Sequence, residues 1–273
     1  MKLIAVGDNV CDCYLDEGVF FPGGNCVNVA VHAKRSGAQS VNYTGVLGND
    51  RMAQHILDCL AAEGVETSNC RRVFAPTSQP GVKLVDGERI FVGGNPQSCQ
   101  RIVAMKMTKS DLDLAKQYDV CHISCYSNME NELEALSGAV PLSFDFSDIR
   151  DEKYFAKTAP YLTWAFLSGA QLSETECETL ALQIAQLGAK NVCITRGAQG
   201  SLFFDGENFY RQGIMQVDAV DTMGAGDSFI AAFLVRYTDT GDISGALSFA
   251  AQKAAYNCTQ RGAIGYAGSL FAK

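Results

Sequence analysis

The sequence predicts an α/β fold: a mainly parallel sheet covered by helices, with a small accessory β-sheet at its edge. Three observations predict it. Short apolar runs alternate with longer segments of helical periodicity along most of the chain, and a β-then-α alternation implies parallel strands joined by right-handed crossovers. Between Arg72 and Asn95 this rhythm gives way to strand signals alone. Finally, 273 residues that are 47% hydrophobic and 19% charged describe a folded chain with a large core, not a disordered one.

The elements follow in order. Lys2–Gly7 is a buried strand, and Cys11–Phe21 is extended. Asn25–Ser36 has helical spacing and is closed by Gly37. Val41–Leu47 reads as one strand, and Arg51–Ala62 as a helix with Met52, Ile56, Leu57 and Leu60 on its apolar face, ended by Gly64. Gly81–Val85 and Arg89–Val92 form a hairpin over Asp86-Gly87, a pair suited to the positive φ of a tight turn. Strands then recur near Tyr118–Ser124, Leu142–Phe146, Trp164–Ser168 and Asn191–Thr195, with helical stretches such as Glu174–Leu187 between them. The two β-only pieces, about residues 11–21 and 77–95, are expected to form a lid. No linker or repeat divides the chain, so residues 1–273 read as a single domain.

Charge and cysteine content exclude several classes. The chain carries 22 Lys+Arg against 30 Asp+Glu, a net charge of −8, which repels nucleic acids and anionic membranes. No secretory h-region opens the sequence and no apolar run approaches the roughly 20 residues that span a bilayer. With eleven cysteines, an odd number, reduced thiols in the cytoplasm are the expectation. Cys121-His122 with Cys125 lacks the paired two-residue spacings of a structural zinc site. The only histidines, His32, His55 and His122, are scattered along the chain, which argues against histidine-based catalysis.

The chemistry concentrates in Asp221-Thr222-Met223-Gly224-Ala225-Gly226-Asp227, which runs straight into the helical stretch from Ser228. Small residues let the backbone turn so that successive N–H groups converge at a helix N-terminus, a ready anion site. An aspartate in that first turn is either an ordinary N-terminal charge or a general base acting while the amides hold a phosphoryl group.

This segment resembles the Asp-Thr-x-Gly-Ala-Gly-Asp signature of the ribokinase-like (PfkB) carbohydrate kinases. Gly23-Gly24-Asn25-Cys26-Val27-Asn28-Val29-Ala30 resembles their first signature, and Thr195-Arg196-Gly197-Ala198-Gln199-Gly200 their Thr-x-Gly-x-x-Gly turn. Order and spacing agree across essentially the whole chain. Gly7-Asp8-Asn9 with Asp12, and Asp145-Phe146-Ser147-Asp148, are most similar to the branch that phosphorylates fructose-amines such as fructoselysine.

The resemblance implies a three-layer α/β/α sandwich and ATP-dependent phosphorylation of a primary sugar hydroxyl. It makes Asp227 the catalytic base and Gly224, Ala225 and Gly226 the anion hole. It places Thr195, Gly197 and Gly200 along the nucleotide, where a hairpin turn is the alternative reading, and gives Asp12, Gly23, Gly24 and Asn28 to the acceptor. Mg²⁺ accompanies ATP, and K⁺ held by carbonyls near Asp221, Met223 and Arg261-Gly262 is a further implication. The sequence departs from the family's Asn-x-x-Glu pattern between Ser168 and Glu176; Glu176 is the candidate for a water-mediated magnesium contact, and Ser173 with Glu176 also has capping-box spacing. Should the acceptor carry an amino acid, Asp16 or Glu17 is a candidate for its ammonium and Lys83 or Arg89 for its carboxylate. Exposed lid edges suggest a homodimer through the lid. The competing expectations are a ribokinase, fructokinase or nucleoside kinase of the same family, and a non-catalytic sugar or nucleotide sensor.

Overall fold

The computed structural model describes residues 1–85 and 88–271. In chain order its strands are β1 (Lys2–Val6), β2 (Val10–Tyr14), β3 (Val19–Gly23), β4 (Ser40–Thr44), β5 (Val46–Leu47), β6 (Arg71–Arg72), β7 (Gly81–Val85) and β8 (Glu88–Phe91). Then follow β9 (Val120–Ser124), β10 (Leu142–Asp145), β11 (Trp164–Ser168), β12 (Asn191–Thr195), β13 (Ser201–Phe204), β14 (Phe209–Gln212) and β15 (Gly268–Ser269). The central sheet has the order β14-β13-β12-β11-β10-β9-β1-β4. From β4 to β12 all neighbours are parallel, whereas β12, β13 and β14 form an antiparallel meander.

Both faces of this sheet are covered, which is why its strands read as continuous apolar runs. Along β1, Leu3 and Ala5 enter the core beneath helices Asn25–Arg35 and Ala225–Thr240, while Ile4 and Val6 enter the opposite core with Cys177, Leu180 and Ile184 of helix Glu174–Gln186. The result is the expected α/β/α layering. Buried cysteines such as Cys11, Cys13, Cys121 and Cys193 pack in these layers as small apolar groups.

A separate five-stranded sheet, β15-β3-β2-β7-β8, stands at the edge. It contains more than the two expected pieces: β3 runs on to Gly23, and a short strand from the C-terminal region adds to its edge. The Asp86-Gly87 turn lies outside the described residues. The expected strand Val41–Leu47 is divided. The chain leaves the central sheet at Gly45, whose added Cβ would lie 2.7 Å from the Gly7 carbonyl, and β5 then pairs with β6 in its own ladder.

Two carboxylates tie the small sheet to the body. Asp50 caps helix Arg51–Ala62 by accepting from Ala53 N, and the same side chain accepts from Thr77 N at 2.8 Å and Thr77 Oγ1 at 2.6 Å. Asp221 accepts from Tyr14 Oη of β2, from Gly262 N and from Met223 N.

Candidate active site

Helix Ala225–Thr240 starts on Gly224, which sits at φ 73 and offers no side-chain cap. A Cβ on Gly224 would lie 2.9 Å from the Ala263 Cα, so both the left-handed backbone and the close approach require glycine. Gly226 is glycine for a different reason. A Cβ there meets nothing within 4 Å, because the residue faces a cavity of about 920 Å³ shared with Ala225, Asp227, Thr195, Gly197 and Gly200. The first-turn amides of an uncapped helix thus look toward open space, the arrangement that attracts an anion. Thr195 to Gly200 is also the turn of the antiparallel β12–β13 hairpin, so the same residues form a structural turn and line the cavity.

Asp227 is held by two asparagines. Its Oδ1 accepts from Asn25 Nδ2 at 2.8 Å and its Oδ2 from Asn28 Nδ2 at 2.7 Å. Asn25 Nδ2 also donates to Asp145 Oδ2 at 2.8 Å, so one amide bridges two half-buried carboxylates. The orientation of Asn25 is set from behind. Its Oδ1 lies 2.8 Å from His122 Nε2, and His122 Nδ1 lies 2.9 Å from Ser143 Oγ. An amide oxygen only accepts, so Nε2 carries the proton and Nδ1 receives the Ser143 hydroxyl. Burial holds the imidazole neutral, with a pKa near 3, and the β9–β10 register sets His122 beside Ser143. No sequence signal connected these residues with Asp227; only their positions on adjacent strands behind Asn25 do.

Burial raises Asp227 to about 6, opposed by the Asn28 and Asn25 hydrogen bonds. Asp145 is raised to about 7, first by burial and then by the Asp227 charge. Asp227 remains an ionised acceptor near neutral pH, in the range suited to a general base.

A second cavity of about 650 Å³ lies under the small sheet, lined in part by Asp8, Asp12, Gly24 and Asn28. Asp145, Ser147 and Asp227 line both cavities, so the two meet at the carboxylate pair. Asn28 has its amide on Asp227, while its Oδ1 is buried without a partner and is open to a hydroxyl donor. Asp8 shapes the floor: its carboxylate accepts from Asn25 N at 2.6 Å and Ser124 Oγ at 2.7 Å, standing in for the missing side-chain cap of helix Asn25–Arg35. Ser147 takes φ 52, a strained value for a non-glycine residue, with its amide on Asp145 Oδ1 and its hydroxyl receiving Tyr126 Oη.

Some expected residues lie elsewhere. Gly23 and Gly224 line neither cavity and act by admitting close packing; a Cβ on Gly23 would lie 2.5 Å from Asp12 Oδ2. Glu176 is not brought to the site. It is exposed and closes a capping box, receiving Ser173 N at 2.8 Å and Ser173 Oγ at 2.7 Å. No group of three metal-ligating residues occurs among the described residues, and the Met223 carbonyl already accepts from Asn257 Nδ2. Glu17 pairs with Arg261, Lys83 is exposed off the cavity, and the side chain of Arg89 falls outside those described.

The model of the pfkB family carbohydrate kinases matches residues 2–138 and 163–267 of this chain. The chain belongs to that family. It is therefore a phosphotransferase acting on a sugar hydroxyl. It is 46% identical to Fructosamine kinase FrlD of Bacillus subtilis, over 97% of this chain and 94% of that protein. It is 38% identical to Fructoselysine 6-kinase of Escherichia coli, over 86% of this chain and 88% of that protein. Among solved structures, Arabidopsis thaliana ribokinase complexed with ribose and ATP superposes with a TM-score of 0.82 at 22% identity, covering 98% of this chain and 96% of that one. Aminoimidazole riboside kinase from Salmonella enterica gives 0.79 at 21% identity, covering 97% and 95%. These likenesses place the fold among ribokinase-like sandwiches.

Proposed function

We propose that this carbohydrate kinase transfers the γ-phosphoryl group of ATP to the 6-hydroxyl of a fructose-amine such as fructoselysine. The observation that carries the reading is the meeting of two cavities at Asp227, one opening on the helix N-terminus and the other lined by hydroxyl-binding side chains. The relatives named as fructosamine and fructoselysine kinases support the acceptor. Solved structures with the same fold and bound ATP support the donor.

In this reading ATP lies in the larger cavity along Thr195, Gly197 and Gly200. Its γ-phosphate meets the Ala225 and Gly226 amides, and magnesium arrives as the MgATP co-substrate. The sugar lies beneath the small sheet against Asp12, Gly24 and Asn28. Asp227 accepts the proton of the attacking hydroxyl, and the amides stabilise charge on the phosphoryl group in flight. Enclosure by the lid excludes water, a competing acceptor.

The test is an ADP-release assay with fructoselysine, fructose, ribose and adenosine. Fructoselysine should have the highest kcat/KM, and Asp227→Asn should lower turnover by about 10²–10⁴ with ligand binding retained. A strong preference for a plain pentose or a nucleoside rejects the acceptor assignment. Ligand binding without ADP from any acceptor replaces it with a sensor.

A further inference from the structure

We propose that the acceptor cavity contains a carboxylate-binding subsite centred on Arg101, which recognises the carboxylate of the amino-acid part of the fructose-amine. This rests on the sugar-amine reading above and adds to it the group that distinguishes an amino-acid adduct from other fructose-amines.

The cavity is lined by charges of both signs. Asp8, Asp12, Asp145 and Asp227 contribute its carboxylates, and Arg101 is the one cation among its described lining residues. Arginines nearby are committed to protein partners: Arg261 to Glu17, Arg71 to Asp111, and Arg51 to the Ser269 and Leu270 carbonyls. Arg101 donates its backbone N–H to the Ser98 carbonyl, while its guanidinium has no ion pair or hydrogen bond among the described residues. Two neighbours in sequence line the same cavity with unmet capacity. Ser98 is fully buried, its hydroxyl has no partner, and it does not cap the short helix Cys99–Ile102 that it precedes. Gln100 Nε2 is likewise buried and unpaired. Buried polar atoms are nearly always satisfied, so two orphans beside a free guanidinium mark a place where a ligand supplies the partners.

The chemistry of the three groups agrees. A guanidinium presents a planar fork that matches a carboxylate in bidentate geometry, and a hydroxyl and an amide N–H both donate to the same oxygens. At about 650 Å³ the cavity falls within the roughly 300–1,000 Å³ that encloses drug-sized ligands, which leaves room beyond a hexose. A fructose–amino-acid adduct carries an ammonium next to the sugar and a carboxylate further out. A cavity lined by carboxylates and one arginine complements both charges, whereas the phosphate of a sugar phosphate offers no cation to the acidic groups.

The experiment compares fructoselysine with the same adduct whose carboxylate is a primary amide, using wild type, Arg101→Gln and Arg101→Lys. The wild type should favour the carboxylate acceptor by about 10- to 100-fold in kcat/KM, the scale of a charge-assisted contact, and mostly through KM. Arg101→Gln should remove that preference while the amide acceptor changes by no more than roughly twofold, as for a surface substitution. Arg101→Lys should restore part of it. Equal loss on both acceptors in a folded Arg101→Gln protein, or a wild type indifferent to the carboxylate, overturns the subsite alone. A wild type that phosphorylates fructose or ribose but neither adduct overturns the sugar-amine reading and the subsite together.

Discussion

A single amide bridges Asp227, the base in the proposed reading, and Asp145. Asn25 divides its two N–H bonds between Asp227 and Asp145, and it can do so only while its oxygen stays on His122. His122 is thus a positioning residue: buried, neutral and one step removed from the reacting atoms. The sign of the pH dependence follows from the raised carboxylates. Asp227 must be ionised to accept a proton, so kcat/KM should fall as pH drops through about 6. His122→Phe leaves the Asn25 oxygen unpaired and frees the amide to rotate, which removes a hydrogen bond that lowers the Asp227 pKa. We expect kcat at neutral pH to fall by about tenfold and the acid limb of the pH–rate profile to move to higher pH. A lower rate with an unmoved acid limb would mean that His122 matters for packing alone.

At the scale of elements, the N-terminus of helix Ala225–Thr240 joins two requirements that a motif writes with the same letter. Gly224 is needed by the protein itself, because φ 73 and the nearby Ala263 backbone exclude a side chain. Gly226 is needed by what enters the cavity, since a methyl group there meets no protein atom. Gly226→Ala should therefore fold with unchanged thermal stability and lose turnover, with the KM for ATP raised, by an overall factor of about 10² in kcat/KM. Gly224→Ala should instead lose about 1–3 kcal/mol of stability, the scale of a strained left-handed residue, before activity is considered. Melting curves and kinetics on the two variants separate these outcomes, and equal melting temperatures would contradict the distinction. The Thr195–Gly200 turn carries the same double load, as a hairpin connection and as cavity wall.

For the whole molecule, the small sheet lines the second cavity, sends Cys11, Cys13 and Phe20 into the core of the body, and is held there also by hydrogen-bonded joints. Asp50 is one of them, holding a helix start and the Thr77 backbone and hydroxyl with one carboxylate. Its hydrogen bonds outweigh partial burial and keep its pKa below the usual carboxylate value. The linked stability is present above the unfolded-state pKa and is lost as pH falls through the lowered folded value. Asp50→Ala should reduce unfolding free energy by about 1–3 kcal/mol in denaturant titrations, combining a lost cap with unsatisfied donors at Thr77. It should also raise the acceptor KM, because the segment from Thr77 leads into the sheet beneath which the proposed reading places the sugar. An unchanged KM would show that the sheet keeps its place without this joint.

In the proposed reading, the net charge of −8 is compatible with handling a triphosphate because the positive potential would be local: helix amides and the dication of the co-substrate would replace a basic surface. That much was legible in the sequence. Periodicity located most strands and several helices, since a strand buried on both faces and a helix with one apolar stripe each leave a local pattern, but it missed the 16-residue helix Ile243–Cys258. The glycine-bearing loop revealed its chemistry because anion binding by backbone amides needs contiguous residues. Other features had no such trace. The division of Val41–Leu47 came from the approach of Gly45 to a strand distant in sequence. The strand Gly268–Ser269 on the lid edge, the His122–Asn25–Asp145 network and the placement of Arg101 all depend on residues far apart in the chain. The sequence by itself determined the layered fold, the family and the catalytic loop, because each is written in local order. Only the tertiary structure decided what orients Asp227 and which side chains line the second cavity, because the fold brings Asn25 to Asp145 and Asp227, 120 and 202 residues along the chain.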